Sequence, residues 1–190
     1  MINQLKNVLK TFASFDEQEL GKIANYFTQK TVKKNTILLK EGIICNEFYF
    51  VSTGCIRIFF MDMNGQEKTR YVMLDSDMNL GTALTSFISQ QPSIEFIEAL
   101  DDTELLVINH ADFYRLNSEL ANWRIFYQRI LETAYSFQSR RIEHLVTLTA
   151  KQRYDNVLKG NPMLIQRLSN RVLASYLDIR EETLSRLKSK

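Results

Sequence analysis

The sequence predicts an α+β chain: N-terminal helices and an antiparallel β-roll or jelly-roll barrel, then a long helix, then a C-terminal pair of short helices. Three observations carry this. Apolar residues recur at helical spacing at both ends, and short β-forming runs separated by turn signals fill the middle. A strict three-four alternation then extends from Leu120 to Leu148.

The first 30 residues read as helical. Leu5, Val8 and Leu9, then Leu20, Ile23, Ala24 and Phe27, stand three and four residues apart. Ser14 followed by Glu17 has the spacing of a capping box that would start the second helix.

From about residue 31 to 110 the period shortens. The apolar runs are Thr36–Leu39, Phe48–Val51, Ile56–Phe60, Tyr71–Leu74 and Leu105–Ile108. Gly42, Gly54, Asn64-Gly65, Asp75-Ser76-Asp77 and Asp101-Asp102 punctuate them. Asn-Gly between two strand-like runs is a strong hairpin signal. Many short, evenly spaced strands predict a closed or rolled antiparallel sheet.

From about Asp112 the helical period returns. Leu120, Trp123, Tyr127, Ile130, Ala134, Phe137, Arg141, His144 and Leu148 form one seam at coiled-coil spacing. A helix over 119–147 is about 40 Å long at 1.5 Å per residue, more than a small chain can cover by itself. Leu120, Trp123, Tyr127, Ile130, Ala134 and Phe137 are therefore the expected homodimer interface. Arg141 and His144 would mark where the seam opens or fix its register.

The last 40 residues hold the sharpest pattern. Thr149 can cap a helix ending near Gly160, with Asn161-Pro162 as its stop. Ser169 caps a second short helix through Leu177, and a tight turn at 178–180 leads into Glu181–Lys188. Leu173, Ala174, Leu177, Ile179, Leu184 and Leu187 form the apolar set, with the small Ala174 allowing close approach. This is the arrangement of a helix-turn-helix. The outer face of the final helix carries Glu182, Thr183, Ser185, Arg186 and Lys188, short polar groups and cations suited to base edges and phosphates.

Charge supports the same division. The 190 residues carry 24 Lys plus Arg against 22 Asp plus Glu, a net +2. The last 40 hold nine bases and four acids, about +5, which leaves fifteen against eighteen, or −3, for the first 150. A basic end on an acidic body fits a nucleic-acid-reading head on a non-binding sensor. Hydrophobic residues at 45% supply a sizeable core, and two Pro and six Gly exclude fibrous or low-complexity chains. Cys45 and Cys55 make no disulfide framework or CxxC pair and read as buried thiols of a reducing cytoplasm. No run reaches a membrane span, and the N-terminus lacks the apolar core of a signal peptide, so a cytoplasmic location and no membrane partner are expected. His110 and His144 are the only histidines and lack HxH spacing, so no metal site is expected. GxSxG, Walker and GxGxxG motifs are absent, and no catalytic residue is assigned.

The segment LASYLDIREETLSRLK, residues 173–188, resembles the helix-turn-helix of the Crp/Fnr superfamily of bacterial transcription regulators. In its shorter members that pattern runs roughly I-A-x-x-L-G-I-x-x-E-T-L-S-R. The turns at Lys40-Glu41-Gly42, Val51-Ser52-Thr53-Gly54 and Asn64-Gly65 resemble the cyclic-nucleotide-binding β-roll, and the long helix resembles the family's dimerisation helix. The resemblance implies a sensor over residues 1–117, a dimerisation helix over 118–148 and a reading head over 149–190. It also implies a homodimer on a palindromic site in double-stranded DNA, with RNA polymerase and a small-molecule effector as further partners. Carried over by position, the base contacts fall on Glu182 and Arg186, with Thr183 and Ser185 beside them. Arg180 and Lys188 then serve as phosphate contacts. Asp178 replaces the usual turn Gly, Arg180 an N-cap Ser or Thr, and Glu181 an Arg of some members. The sequence ends at Lys190 without the family's β-wing, so fewer backbone contacts are expected.

The effector pocket departs further. The family's Gly-Glu-Leu turn falls on Gly81, Thr82, Ala83 and Leu84, with Thr82 near the Glu position, and its Arg-Ser falls near Pro92-Ser93. Between Arg70 and Arg115 there is no Lys or Arg, whereas Asp75, Asp77, Glu95, Glu98, Asp101, Asp102, Glu104 and Asp112 are all acidic. A buried phosphodiester would lack its counter-charge, so cyclic AMP binding is expected to be lost and another small molecule, or none, takes the site. The rival reading is a small-molecule-binding module, cyclic nucleotides included, with a vestigial DNA-binding tail.

Overall fold

The computed structural model describes residues 1–76 and 79–189; Asp77 and Lys190, both counted in the charge pattern above, lie outside the described residues. Two helices, α1 (Ile2–Phe12) and α2 (Glu17–Ala24), bury Leu5, Leu9, Leu20 and Ile23. The cap of α2 is Asp16 rather than Ser14. Its carboxylate accepts from the Glu19 amide at 2.7 Å, and the Glu19 carboxylate accepts from the Asp16 amide at 3.2 Å. The box therefore sits two residues later than its Ser-x-x-Glu spacing suggested, and a carboxylate at this end also complements the helix dipole.

The middle of the chain forms β1 (Thr28–Val32), β2 (Ile37–Leu39), β3 (Glu47–Thr53), β4 (Cys55–Met61), β5 (Glu67–Leu74), β6 (Leu80–Gly81), β7 (Phe96–Ala99) and β8 (Thr103–Asn109). A short helix, α3 (Leu84–Ser89), lies between β6 and β7. The strands make two antiparallel four-stranded sheets, in the orders β1-β8-β3-β6 and β2-β7-β4-β5. The five sequence runs overlap β2, β3, β4, β5 and β8. Polar β1, two-residue β6 and four-residue β7 carry too little apolar signal to be read from pattern alone. Asn64-Gly65 does turn the hairpin between β4 and β5: Gly65 takes φ 71°, and Asp62 Oδ1 accepts from the amides of Asn64 and Gln66. The core between the sheets gathers Phe48, Phe50, Ile56, Ile58, Met73, Ile97, Leu106 and Ile108, all but withdrawn from water.

The pairing of β4 with β5 slips by one residue. Ile58 stands opposite Tyr71 and Phe59 opposite Thr69, so Arg70 is left without an opposite number. Such a bulge re-aims side chains. Thr69, Val72 and Leu74 contact the C-terminal helices outside the sheet, while Tyr71 and Met73 pack with the inner core.

Two helices follow the roll, α4 (His110–Glu119) and α5 (Ala121–Thr147). The expected seam of α5 turns out to face its own chain. Trp123 is fully buried, stacked edge-on against Phe27 and Phe113, with its indole N–H donated to the Phe113 carbonyl at 3.1 Å. Leu120, Tyr127 and Ile130 pack on the same core, and Phe137 meets Tyr71 edge-on at 5.3 Å. Ala134 lies beside them along the same face. The alternation is therefore that of a helix laid along a globular body, which uses the same spacing as a coiled coil.

Four short helices complete the chain: α6 (Ala150–Gly160), α7 (Pro162–Arg167), α8 (Asn170–Leu177) and α9 (Glu181–Lys188). Thr149 caps α6 in a box with Gln152, as its position suggests. Helix α6 ends at Gly160 with Asn161 as its C-cap, as expected, and Pro162 opens a separate helix, α7, from its first position, where the missing N–H costs nothing. Both cysteines are buried and free. No helix among the described residues is long and apolar enough to cross a membrane.

Candidate DNA interface and effector cavity

Helices α8 and α9 are joined by a turn of sharp geometry. Ser169 Oγ accepts from the Val172 amide to start α8, and Asp178 ends it in the left-handed conformation at φ 52°, ψ 52°. The Ile179 amide then donates to the Ala174 carbonyl at 3.0 Å. Asp thus does the work that Gly does in the related pattern, since short polar side chains tolerate this region better than most. Leu173, Ala174, Leu177 and Leu184 are buried, with Ile179 and Leu187 packed against them.

The apolar side of α9 faces inward, which leaves Glu181, Glu182, Ser185, Arg186 and Lys188 exposed and Thr183 half-buried. Arg180 stands exposed at the N-cap and provides no side-chain cap. Glu181 and Glu182 lie in the first turn, where negative charge offsets the helix dipole. The acid that seemed out of place for DNA thus has a local structural role. Arg186 folds along its own helix, donating to the Glu182 carbonyl at 3.3 Å and the Thr183 hydroxyl at 3.4 Å. Lys188 reaches back to Asn170 Oδ1 at 2.7 Å, turned toward the start of α8.

The C-terminal helices do not hang free. Helix α8 lies on the outer face of the β4–β5 hairpin, where Val172, Leu173 and Tyr176 cluster with Cys55, Val72 and Leu74. Polar bridges ring that contact. Arg171 pairs with Glu67 at 2.8 Å, and Arg167 with Asp75 at 2.7 Å and Asp101 at 2.6 Å. Thr69 and Ser175 share a hydrogen bond of 2.6 Å. Arg141 of α5 donates to the carbonyls of Thr69 and Tyr176, both at 2.8 Å, so one guanidinium joins long helix, sheet and head. Burial lowers the Arg141 pKa from the usual guanidinium range, and burial likewise pushes the Cys55 thiol up to about 12. The expectations from sequence did not include this dock. Its one mark there is that Ile58-Phe59-Phe60 and Tyr71-Val72-Met73-Leu74 are apolar without alternation, as in a sheet covered on both faces, and Cys55–Phe59 and Val72–Leu74 are indeed continuously buried.

On the other side of β5 a cavity of about 410 Å³ opens between the roll, α1 and α5. Phe12, Phe48, Tyr71, Leu80, Ile130 and Phe137 supply apolar wall, with Gly81, Thr82 and Leu84 at one end. Ala83 is fully buried beside them, and Ser93 lines a neighbouring hollow together with Glu95 and Arg70. The structure thus brings Gly81, Thr82 and Leu84 to one cavity and puts Ser93 in another. The Thr82 hydroxyl is engaged within the roll, donating to the Glu47 carbonyl at 2.7 Å and standing 3.0 Å from Cys45 Sγ. Ser93 Oγ is likewise bound to the Glu95 backbone. Among the described residues no His, Cys, Asp and Glu cluster could hold a metal ion.

Residues 29–119 match the cyclic nucleotide-binding domain family. No curated protein matches the sequence at a significant level. The fold is similar to that of FixK2 from Bradyrhizobium japonicum, at TM-score 0.74 and 17% identity over 86% of this chain and 83% of that one. It is also similar to the c-di-GMP responsive global regulator CLP of Xanthomonas campestris, at TM-score 0.70 and 17% identity over 92% and 90%. A regulator ascribed to the Crp/Fnr family from Eubacterium rectale gives TM-score 0.70 and 21% identity over 91% and 82%.

Proposed function

We propose that this chain, a cyclic nucleotide-binding domain joined to a helix-turn-helix in the fold of the Crp/Fnr regulators, is a DNA-binding transcription regulator that acts as a homodimer. The observation that carries the reading is α9: its apolar side is fully used under α8, while Glu182, Ser185 and Arg186 stand together in the open. Arg186 has the reach to pair with guanine O6 and N7, and Glu182 can accept from cytosine N4. Arg180 and Lys188 flank them as phosphate contacts.

The second copy docks on the face of α5 that the chain leaves open. Tyr135 is 76% exposed, Ile142 63% and Leu145 36%, and with half-buried Leu131 and Gln138 they repeat the alternation one residue along from the inward seam. Apolar side chains at coiled-coil spacing on a solvated helix call for a partner helix, and an identical one closes the contact by two-fold symmetry. The two recognition helices then reach successive major grooves about 34 Å apart. The cavity between roll and α5 is the effector site, and cyclic AMP is not its ligand. RNA polymerase is the natural onward contact of such a regulator.

Selection of genomic fragments by the purified protein at moderate salt tests the DNA reading. A palindromic consensus bound in a salt-dependent manner is expected, and recovery of no preferred sequence would leave only a small-molecule-binding module. Sedimentation tests the seam: Tyr135→Glu with Ile142→Glu should give monomers. A wild-type monomer, or a double variant that stays dimeric, counts against it.

A further inference from the structure

We propose that the cavity beside β5 binds an uncharged, predominantly apolar small molecule, because its one cation, Arg70, is already neutralised by Glu95. This rests on the reading of that cavity as the effector site. The bulge in β5 aims Arg70 at the cavity, and among the described residues it is the only Lys or Arg in the lining. That would be the anchor for an anionic ligand if the guanidinium were available. It is not: Arg70 Nε donates to one oxygen of Glu95, and Arg70 Nη2 to the other at 3.2 Å. This two-pronged pairing is the strongest geometry a guanidinium forms with a carboxylate.

Glu95 is itself only 7% exposed. An incoming phosphate or carboxylate would either displace Glu95 and leave a buried carboxylate without its partner, or share with it a guanidinium whose charge is already balanced; neither gives the anion a counter-charge of its own. A neutral ligand disturbs nothing. The cavity volume suits a molecule of two or three rings, and Val8, Phe12, Phe48, Leu80, Ile130 and Phe137 make most of its lining apolar. Asn79 and Gln138 also line the cavity, and their side-chain amides suit a ligand hydroxyl, carbonyl or amide. The Thr82 hydroxyl, bound to Glu47, offers no carboxylate-like acceptor for a ribose.

Two probes that differ by a single anionic group test this on the full chain: N-phenyl-1-naphthylamine, which is neutral, and 8-anilinonaphthalene-1-sulfonate. Fluorescence titration should give saturable binding of the neutral probe at one per chain, at least about tenfold tighter than the sulfonate, with cyclic AMP failing to compete. Ala134→Trp, which fills the cavity, should weaken the neutral probe by about tenfold or more. Thr133→Trp, on an exposed lining position, does the same without burdening the fold. Glu95→Gln should release Arg70 and shift the ratio toward the sulfonate by about tenfold. Equal affinity for both probes in the wild type, neutral-probe binding untouched by both Trp variants, or an unchanged ratio in Glu95→Gln would each overturn the proposal. DNA binding is measured separately on the same samples. Its loss with probe selectivity intact removes the regulator reading alone, and the reverse removes only the ligand class.

Discussion

Lys68 on β5 and Asp178 in the turn between α8 and α9 stand 2.6 Å apart, so the residue that shapes this turn is also held by the sheet. The two roles of Asp178 separate by substitution. Asp178→Ala places an unfavourable side chain at φ 52° and should lower stability by about 1 kcal/mol. Asp178→Gly relieves the backbone while losing a half-exposed ion pair, and should stay within about 0.5 kcal/mol of wild type. Urea unfolding of the pair measures both.

Arg141 joins three elements through two carbonyls. Arg141→Leu should cost about 2–4 kcal/mol, since it strips hydrogen bonds from buried acceptors on β5 and α8. Arg141→Lys should recover little: both bonds come from one nitrogen, Nη2, which lies one bond beyond the reach of a lysine ammonium, and the planar contact with the Tyr176 ring is lost. Protease sensitivity of residues 168–180 should rise in parallel, and a head that stays protected in Arg141→Leu would show that the apolar contact alone holds it.

Gly54 sits between β3 and β4 at φ 102°, where a Cβ would lie 2.5 Å from Thr103 Oγ1 and 2.8 Å from the Asp102 carbonyl. Gly54→Ala should therefore destabilise by about 2–4 kcal/mol. Its amide donates to Asp75 Oδ2 at 2.8 Å, and Asp75 holds Arg167 of the head. Thermal melts should show the loss, and amide exchange in α7 and α8 should quicken with it.

The Cys55 thiol lies where the head covers the sheet, and burial raises its pKa from 9.0 to about 12. The folded state therefore holds this proton more tightly than the unfolded state. Its contribution to stability is complete below about pH 9 and is lost as the pH climbs toward 12, by at most about 1.4 kcal/mol per pH unit. Unfolding free energies at pH 8 and pH 10 should show the decline, and Cys55→Ala should flatten it. A thiol reagent at pH 8 should label neither cysteine until the protein unfolds.

Specificity and affinity should also part company. Arg186→Ala is expected to lose about 1–3 kcal/mol of discrimination at one base pair in each half-site. Lys188→Ala should weaken all sites alike and reduce the salt slope by about one. Titrations of the selected site and its single-base variants, at two salt concentrations, distinguish the two.

Much of this molecule was legible in its residues because local and tertiary preferences agree. Asn64-Gly65, Thr149 and Ser169 each announce a turn or cap that needs no distant partner, and Asp178 can reach the left-handed region unaided. What escaped depends on partners remote in sequence. One three-four alternation fits a partner helix or the chain's own roll equally well, and only the packing of Trp123 on Phe113 decides. Likewise Arg70 and Glu95 are 25 residues apart, and the bulge that brings them together leaves no mark in a hydrophobic pattern. The Gly81 turn and the outer face of α9 could be located by likeness, but the engagement of Thr82 with Glu47 could not.

For a chain that reads DNA as proposed, the carboxylates that grip Arg167 and Arg171 bear on how it would search a genome. Counterions leave DNA only when cations reach its phosphates, and guanidiniums clasped by Asp75, Asp101 and Glu67 are withheld from that exchange. Random duplex therefore meets a weaker field than the basic count of the head implies. The chain screens itself from the wrong sequence, and recognition is left to the few side chains of one short helix.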